Sequence, residues 1–136
     1  MSTIHPTAII EDGAQIGENV TIGAYSVIGP DVKLADGVRL ESHVVVGGDT
    51  TIGANTRIFP FASIGLQPQD LKFKGEVSRL EIGCNNVIRE HVTMNPGTEG
   101  GGLLTTVGEN SRVLVGARAA PDGKASDHVL LVMYNR

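Results

Sequence analysis

The chain of 136 residues has no tryptophan, two tyrosines and three phenylalanines, so aromatic side chains make up only 4% of it. A core built on large side chains is excluded; thin layers packed on small residues are what this composition allows. The single cysteine, Cys84, rules out an internal disulfide framework and reads as a small apolar residue in a buried layer. No apolar run reaches the roughly 18 residues of a membrane-spanning helix. Acids and bases are spread along the chain, with a net charge of −4, so there is no basic footprint for nucleic acid. The N-terminus MSTIHPTAII lacks the charged and apolar regions of a secretory signal. Four histidines, His5, His43, His91 and His128, show no local pair at zinc-ligand spacing, so a zinc enzyme is disfavoured, and no motif asks for a cofactor. The expectation is a soluble, cytoplasmic protein with a single domain over residues 1–136.

What is abundant is glycine, 18 residues, together with aliphatics in strict order. Counting in sixes from Ile4 gives Ile4, Ile10, Ile16, Ile22, Ile28, Leu34, Leu40, Val46, Ile52, Ile58 and Ile64. The next residue is often glycine (Gly17, Gly23, Gly29, Gly47, Gly53, Gly65), and the fifth of each six is small or β-branched, as at Ala8, Val20, Ser26 and Thr50. A helix repeats its apolar face about every 3.6 residues and a strand about every 2. Six fits a coil with flat sides, one hexad to a side and about 18 residues to a triangular turn. The aliphatic points inward, and the glycine after it is expected to supply the backbone angles of the corner. The fold class is therefore all-β, a parallel β-helix.

The register breaks twice. From Leu66 to Glu81 (LQPQDLKFKGEVSRLE) no hexad is legible, and the pattern resumes at Ile82, Ile88 and Met94. Pro68 and the polar run predict a loop leaving the coil. The second break, Asn95 to Thr106 (NPGTEGGGLLTT), carries a proline and three consecutive glycines before the pattern restarts at Val107 and Val113. Glycines alone are a weak phosphate signal, and no Gly-Lys-Ser/Thr follows them. From about residue 117 to 136 the hexads degrade.

Tandem [LIV]-G-x-x-[STAV]-x units resemble those of the hexapeptide-repeat acyltransferases, whose fold is a left-handed parallel β-helix. The hand is implied by this resemblance and not by the spacing. The two loops, with QDLKFKGE and NPGTEGGG in that order, narrow the match. IHPTAII, IGLQPQDLKFKGE and RLEIGCNNVIREHVTMNPGTEGGGL are similar to segments of the acyl-carrier-protein-dependent UDP-N-acetylglucosamine O-acyltransferases of lipid A biosynthesis. The resemblance implies transfer of a 3-hydroxyacyl chain from acyl carrier protein to the sugar 3-hydroxyl of UDP-N-acetylglucosamine. It further implies a homotrimer, with sites between adjacent solenoids.

Such a transfer needs a base for the attacking hydroxyl, a donor for the tetrahedral oxyanion and cations or amides for the nucleotide sugar. By resemblance, Gln69, Asp70 and Lys72 of the first loop contact substrate. The base is a histidine in a segment like GAHVAHDC, with a second histidine three residues before it. This chain has GARAAPDG there: Arg118 stands at the first histidine and Pro121 at the catalytic one. Proline has no side-chain base, and arginine stays protonated and accepts nothing. A positioned base is worth about 10²–10⁴ in rate. His91 is a weak candidate to replace it. The family also continues into further coils and a C-terminal helical domain, which are absent before the chain ends at Arg136. The expectation is a truncated, diverged copy with little or no activity. The alternative is a non-enzymatic module that trimerises or binds a UDP-sugar.

Overall fold

The computed structural model describes residues 1–67, 78–96, 104–119, 124–125 and 130–131. These residues form nineteen short strands in three parallel sheets, with no helix among them. The first sheet holds β1 (Thr3–Ile4), β4 (Thr21–Ile22), β7 (Arg39–Leu40), β10 (Arg57–Ile58), β13 (Val87–Ile88), β16 (Arg112–Val113) and β19 (Leu130–Leu131). The second holds β2 (Ile9–Ile10), β5 (Val27–Ile28), β8 (Val45–Val46), β11 (Ser63–Ile64), β14 (Thr93–Met94) and β17 (Arg118–Ala119). The third holds β3 (Gln15–Ile16), β6 (Lys33–Leu34), β9 (Asp49–Ile52), β12 (Arg79–Ile82), β15 (Leu104–Val107) and β18 (Lys124–Ala125). Consecutive strands belong to consecutive sheets, so the chain winds as a coil with three sides.

A strand of two residues has no stability of its own. Its polar backbone groups are satisfied by the coils above and below, as in Ile9 N–H to Ser26 O at 2.8 Å and Val27 N–H to Val44 O at 2.9 Å. Register is in phase throughout: Ile22 lies beside Leu40, Leu40 beside Ile58, Ile58 beside Ile88 and Ile88 beside Val113. These aliphatics point inward and are fully buried, each contributing about 1.5–3 kcal/mol. The fifth position of the hexad also faces inward, and where it is polar it bridges coils. Val44 N–H donates to Ser26 Oγ at 3.2 Å while that hydroxyl donates to Glu41 O at 3.0 Å.

Three expectations need correction. The residue in the left-handed region at most corners is not the glycine after the aliphatic but the residue three places after it. At one corner these are Asn19, Asn55, Asn85 and Asn110; at the next they are Tyr25, His43, Phe61 and His91. Glycine after the aliphatic answers a different need, close approach of coils. A Cβ on Gly23 would lie 2.6 Å from the carbonyl carbon of Glu41 in the next coil. Second, β12 and β15 begin at Arg79 and Leu104, inside the stretches expected as loops, because Leu80 and Thr105 bury side chains in line with Thr50. Third, Cys84 is half-buried and not in the core layer, because it sits at a corner two residues past Ile82. Within the stretch read as degraded, the described residues Ala119, Ala125 and Leu131 pair in register with Met94, Val107 and Val113.

Candidate functional site at the corner between the second and third sheets

Both interruptions leave from one edge of the coil. The first separates β11 from β12 and the second separates β14 from β15, so each replaces a corner between the second and third sheets. One coil further on, β17 and β18 belong to the same two sheets, and Pro121 falls between them in sequence. Ser63, Thr93 and Arg118 form one row of register partners along this side. The sequence places the two loops and the GARAAPDG stretch far apart; the coil stacks their points of departure.

The roots of the loops are tied together. Asn95, the first residue after β14, donates its Nδ2 to the carbonyl oxygen of Leu66 at 3.0 Å, while its buried Oδ1 has no hydrogen-bond partner. Asn95 is 2% exposed. Just before the first loop the backbone is crowded. Gly65 has φ 81°, and a Cβ there would collide with the Gly47 carbonyl and the Thr50 hydroxyl. Only glycine combines this angle with that approach. Thr50 Oγ1 in turn donates to Gly47 O at 2.7 Å. A groove of about 390 Å³ lies further along the same edge, lined by Gly13, Gln15, Pro30, Asp31, Lys33 and Asp49, and it includes none of the loop roots.

Of the residues singled out from sequence, Gln69, Asp70, Lys72, Pro121 and His128 lie outside the described residues. Arg118 is placed by its backbone in β17, paired with Thr93. His91 is not at the loop roots. It occupies the opposite end of β14, at the corner between the first and second sheets, with φ 59°. There it closes a column of rings: Tyr25 to His43 at 5.2 Å, His43 to Phe61 at 5.0 Å and Phe61 to His91 at 5.5 Å. The column is exposed, with Tyr25 61% and Phe61 55% open to solvent. His5 sits in the first coil, where its Nδ1 accepts the Thr7 N–H at 3.2 Å. Asn95 and Leu66 were missed by motif reasoning; the available signal was that each sits where the hexad register stops.

A cationic cluster lies on the first sheet, away from the loop roots. The Arg57 and Arg89 guanidiniums lie 4.6 and 4.2 Å from the Phe59 ring centre. Arg89 Nε donates to Glu90 Oε1 at 2.8 Å, a hydrogen bond that holds the Glu90 carboxyl below its usual range and raises the guanidinium above its own.

Comparison with known proteins gives this corner its context. The profile of the bacterial transferase hexapeptide family (six repeats) matches residues 1–30 and 13–48. The acyl-[acyl-carrier-protein]–UDP-N-acetylglucosamine O-acyltransferase of Rickettsia canadensis is 50% identical over 123 residues, which cover 90% of this chain and 47% of that protein. The protein of the same description from a Sulfurovum species is 58% identical over 116 residues, or 85% and 44% of the two chains. Among solved structures, a UDP-N-acetylglucosamine acyltransferase superimposes with a TM-score of 0.93 at 47% identity, covering 94% of this chain and 49% of that one. The Acinetobacter baumannii structure gives 0.86 at 45% identity, covering 93% and 54%. The coil is the left-handed parallel β-helix of these neighbours. Along nearly all of its own length the chain is similar to the hexapeptide-repeat acyl-carrier-protein–UDP-N-acetylglucosamine O-acyltransferases, and it spans about half the length of the curated relatives it matches.

Proposed function

We propose that this chain carries the nucleotide-sugar side of the acyltransferase reaction and that its own acyl transfer is strongly impaired. The relatives are described as acting between acyl carrier protein and UDP-N-acetylglucosamine, and these are the substrates of the reading. The observation that carries it is the meeting of both loop roots with the row that ends at Arg118, on one corner. Gln69, Asp70 and Lys72 begin three residues beyond Leu66 and serve as the sugar contacts.

Transfer requires the sugar hydroxyl oxygen to bond to the thioester carbonyl while its proton leaves, after which the tetrahedral centre collapses and expels the thiolate. Pro121 and Arg118 offer no lone pair to take that proton. His91, stacked on Phe61 at the far end of β14, is poorly located to substitute. An acyl-transfer assay with UDP-N-acetylglucosamine and hydroxyacyl carrier protein tests the reading, with the Rickettsia relative run alongside. Expected turnover is lower by about 10²-fold or more, the worth of a positioned base. Robust turnover abolished by His91→Ala overturns it.

A second reading, a non-enzymatic module that trimerises or binds a UDP-sugar, is favoured by the exposed ring column. It is favoured too by the outward row Ile9, Val27 and Val45 on the second sheet. The matching rows of the other sheets begin Thr3, Thr21, Arg39 and Gln15, Lys33, Thr51. An apolar face beside two polar ones marks a contact surface, here between copies of a homotrimer. Light scattering with a UDP-sugar titration tests it; a monomer that binds no UDP-sugar overturns it. The reading includes a cytoplasmic location, supported by the unpaired Cys84.

A further inference from the structure

Asn95 is buried, yet only half of its amide is used. Nδ2 donates to Leu66 O at 3.0 Å, and Oδ1 is buried without a partner. The orientation of the amide is not open to exchange. A carbonyl oxygen accepts and cannot donate, so the group facing Leu66 must be the NH₂, and the oxygen must face away from it. Leaving a buried acceptor unmatched costs about 1–3 kcal/mol, and such groups are few in native folds. The fold spends no such penalty on its other buried amide. Asn86 accepts from Ser111 N–H through Oδ1 at 2.7 Å and donates to Gly83 O and Gly108 O at 3.1 and 2.7 Å.

The contrast between the two asparagines is one of place. Asn86 is a coil bridge at the corner between the third and first sheets. Asn95 stands at the root of the second loop and holds the root of the first, three residues before Gln69. Its following residue is Pro96, which brings no N–H to the neighbourhood. An acceptor at this corner, shut away from bulk water, is worth more to a ligand donor than one in solvent.

We propose that Asn95 is a positioning residue of the nucleotide-sugar site: Nδ2 fixes the root of the first loop through Leu66, and Oδ1 accepts a hydrogen bond from the amino sugar. The donor is a hydroxyl or the acetamido N–H of the sugar, reached by a side-chain shift of the kind that ligand binding commonly brings. Asn95 then reads the sugar and not the nucleotide. This rests on the UDP-sugar reading above.

The test is calorimetric titration of the intact chain and of Asn95→Leu and Asn95→Ala with three probes: UDP-N-acetylglucosamine, UDP-glucose and UDP. Asn95→Ala also removes the Oδ1 acceptor, and being smaller it carries the test should Asn95→Leu fail to fold, as judged by circular dichroism. Expected is an affinity for UDP-N-acetylglucosamine weakened about tenfold or more, as for a site built to hydrogen-bond its ligand, with UDP affinity changed less than about twofold. If UDP-glucose weakens in parallel the donor is a hydroxyl; if only UDP-N-acetylglucosamine weakens it is the acetamido N–H. Either pattern supports the proposal. A folded variant that binds UDP-N-acetylglucosamine as the parent does, or that loses UDP equally, overturns it and leaves the UDP-sugar reading standing. A parent chain that binds none of the three overturns both.

Discussion

The Phe61 and His91 rings lie 5.5 Å apart and 8° from parallel, although the whole first loop separates them in sequence. Both grow from left-handed backbone, φ 67° and 59°, which costs a side chain with a Cβ about 1–3 kcal/mol. Each ring pair returns about 0.5–1.5 kcal/mol, and Phe61 makes two pairs, with His43 and His91. Phe61→Asn therefore loses the stacks but relieves the angle, and stability should change by less than about 1 kcal/mol. Phe61→Val loses the stacks and keeps the angle with a β-branch, at a cost of about 2–4 kcal/mol. Urea denaturation of the two variants decides it; equal costs would remove the backbone angle from the account.

Asn86 should be among the least replaceable polar residues of the coil. Its side chain joins Gly83, Gly108 and Ser111 through three hydrogen bonds and is fully buried. Asn86→Ala takes a partner from each of them, and the expected loss is about 2–4 kcal/mol. Asn86→Asp keeps the acceptor for Ser111 but buries a charge against two carbonyl oxygens, so it should be no milder. Chemical denaturation measures both, and hydrogen exchange should show the loss of protection centred on the coils around β13 and β16, since solenoid coils are supported only by their neighbours.

The coil was legible because a ladder repeats one physical demand at every turn: an inward aliphatic at Ile22, Leu40, Ile58 and Ile88, always six or a multiple of six apart, or resuming in phase after an interruption. The corners were harder to read. Asn19, Asn55, Asn85 and Asn110 are natural at positive φ, and His43 and His91 tolerate it, but Tyr25 and Phe61 do not, and their stacking on the histidines across coils is what accounts for them. Sequence therefore suggested glycine as the corner residue, when glycine after the aliphatic serves the close approach of Gly23 to Glu41 or of Gly53 to Gly83. Of the candidate site, the two loops were visible as breaks in register. Their meeting at Asn95 and Leu66 was not, since it depends on which of three corners each loop replaces.

Acid should weaken the coil partly through Glu90. The Arg89 hydrogen bond holds this carboxyl below its usual range in the folded chain. A group whose folded value is depressed contributes stability above its unfolded value, and that contribution is lost as pH falls through the folded value. Glu90→Gln removes the titrating group, so the drop in thermal midpoint between neutral pH and acid should be smaller in the variant than in the parent. The pair is only half-buried, so high salt should shrink the difference. Melting curves at neutral and acidic pH, with and without salt, check it; an unchanged acid sensitivity would exclude Glu90 as a contributor.

Self-association, if it uses the apolar side of the coil, should be separable from folding. Ile9 is 56% exposed, and Val27 faces outward beside it in register. Ile9→Lys with Val27→Lys puts two charges on a face that is otherwise Ile9, Val27 and Val45 in its first three coils, while the inward ladder of Ile10, Ile28 and Val46 is untouched. Removing this apolar surface from a contact should cost an assembly dearly, because unpaired charges would be desolvated there, whereas an isolated chain would keep both lysines in water. The expected outcome is a trimer mass for the parent and a monomer mass for the variant by light scattering, with thermal midpoints compared at matched, dilute concentration to exclude unfolding. A variant that remains trimeric would place the contact on another side of the coil, with the polar rows that contain Arg39 and Lys33 the next surfaces to alter.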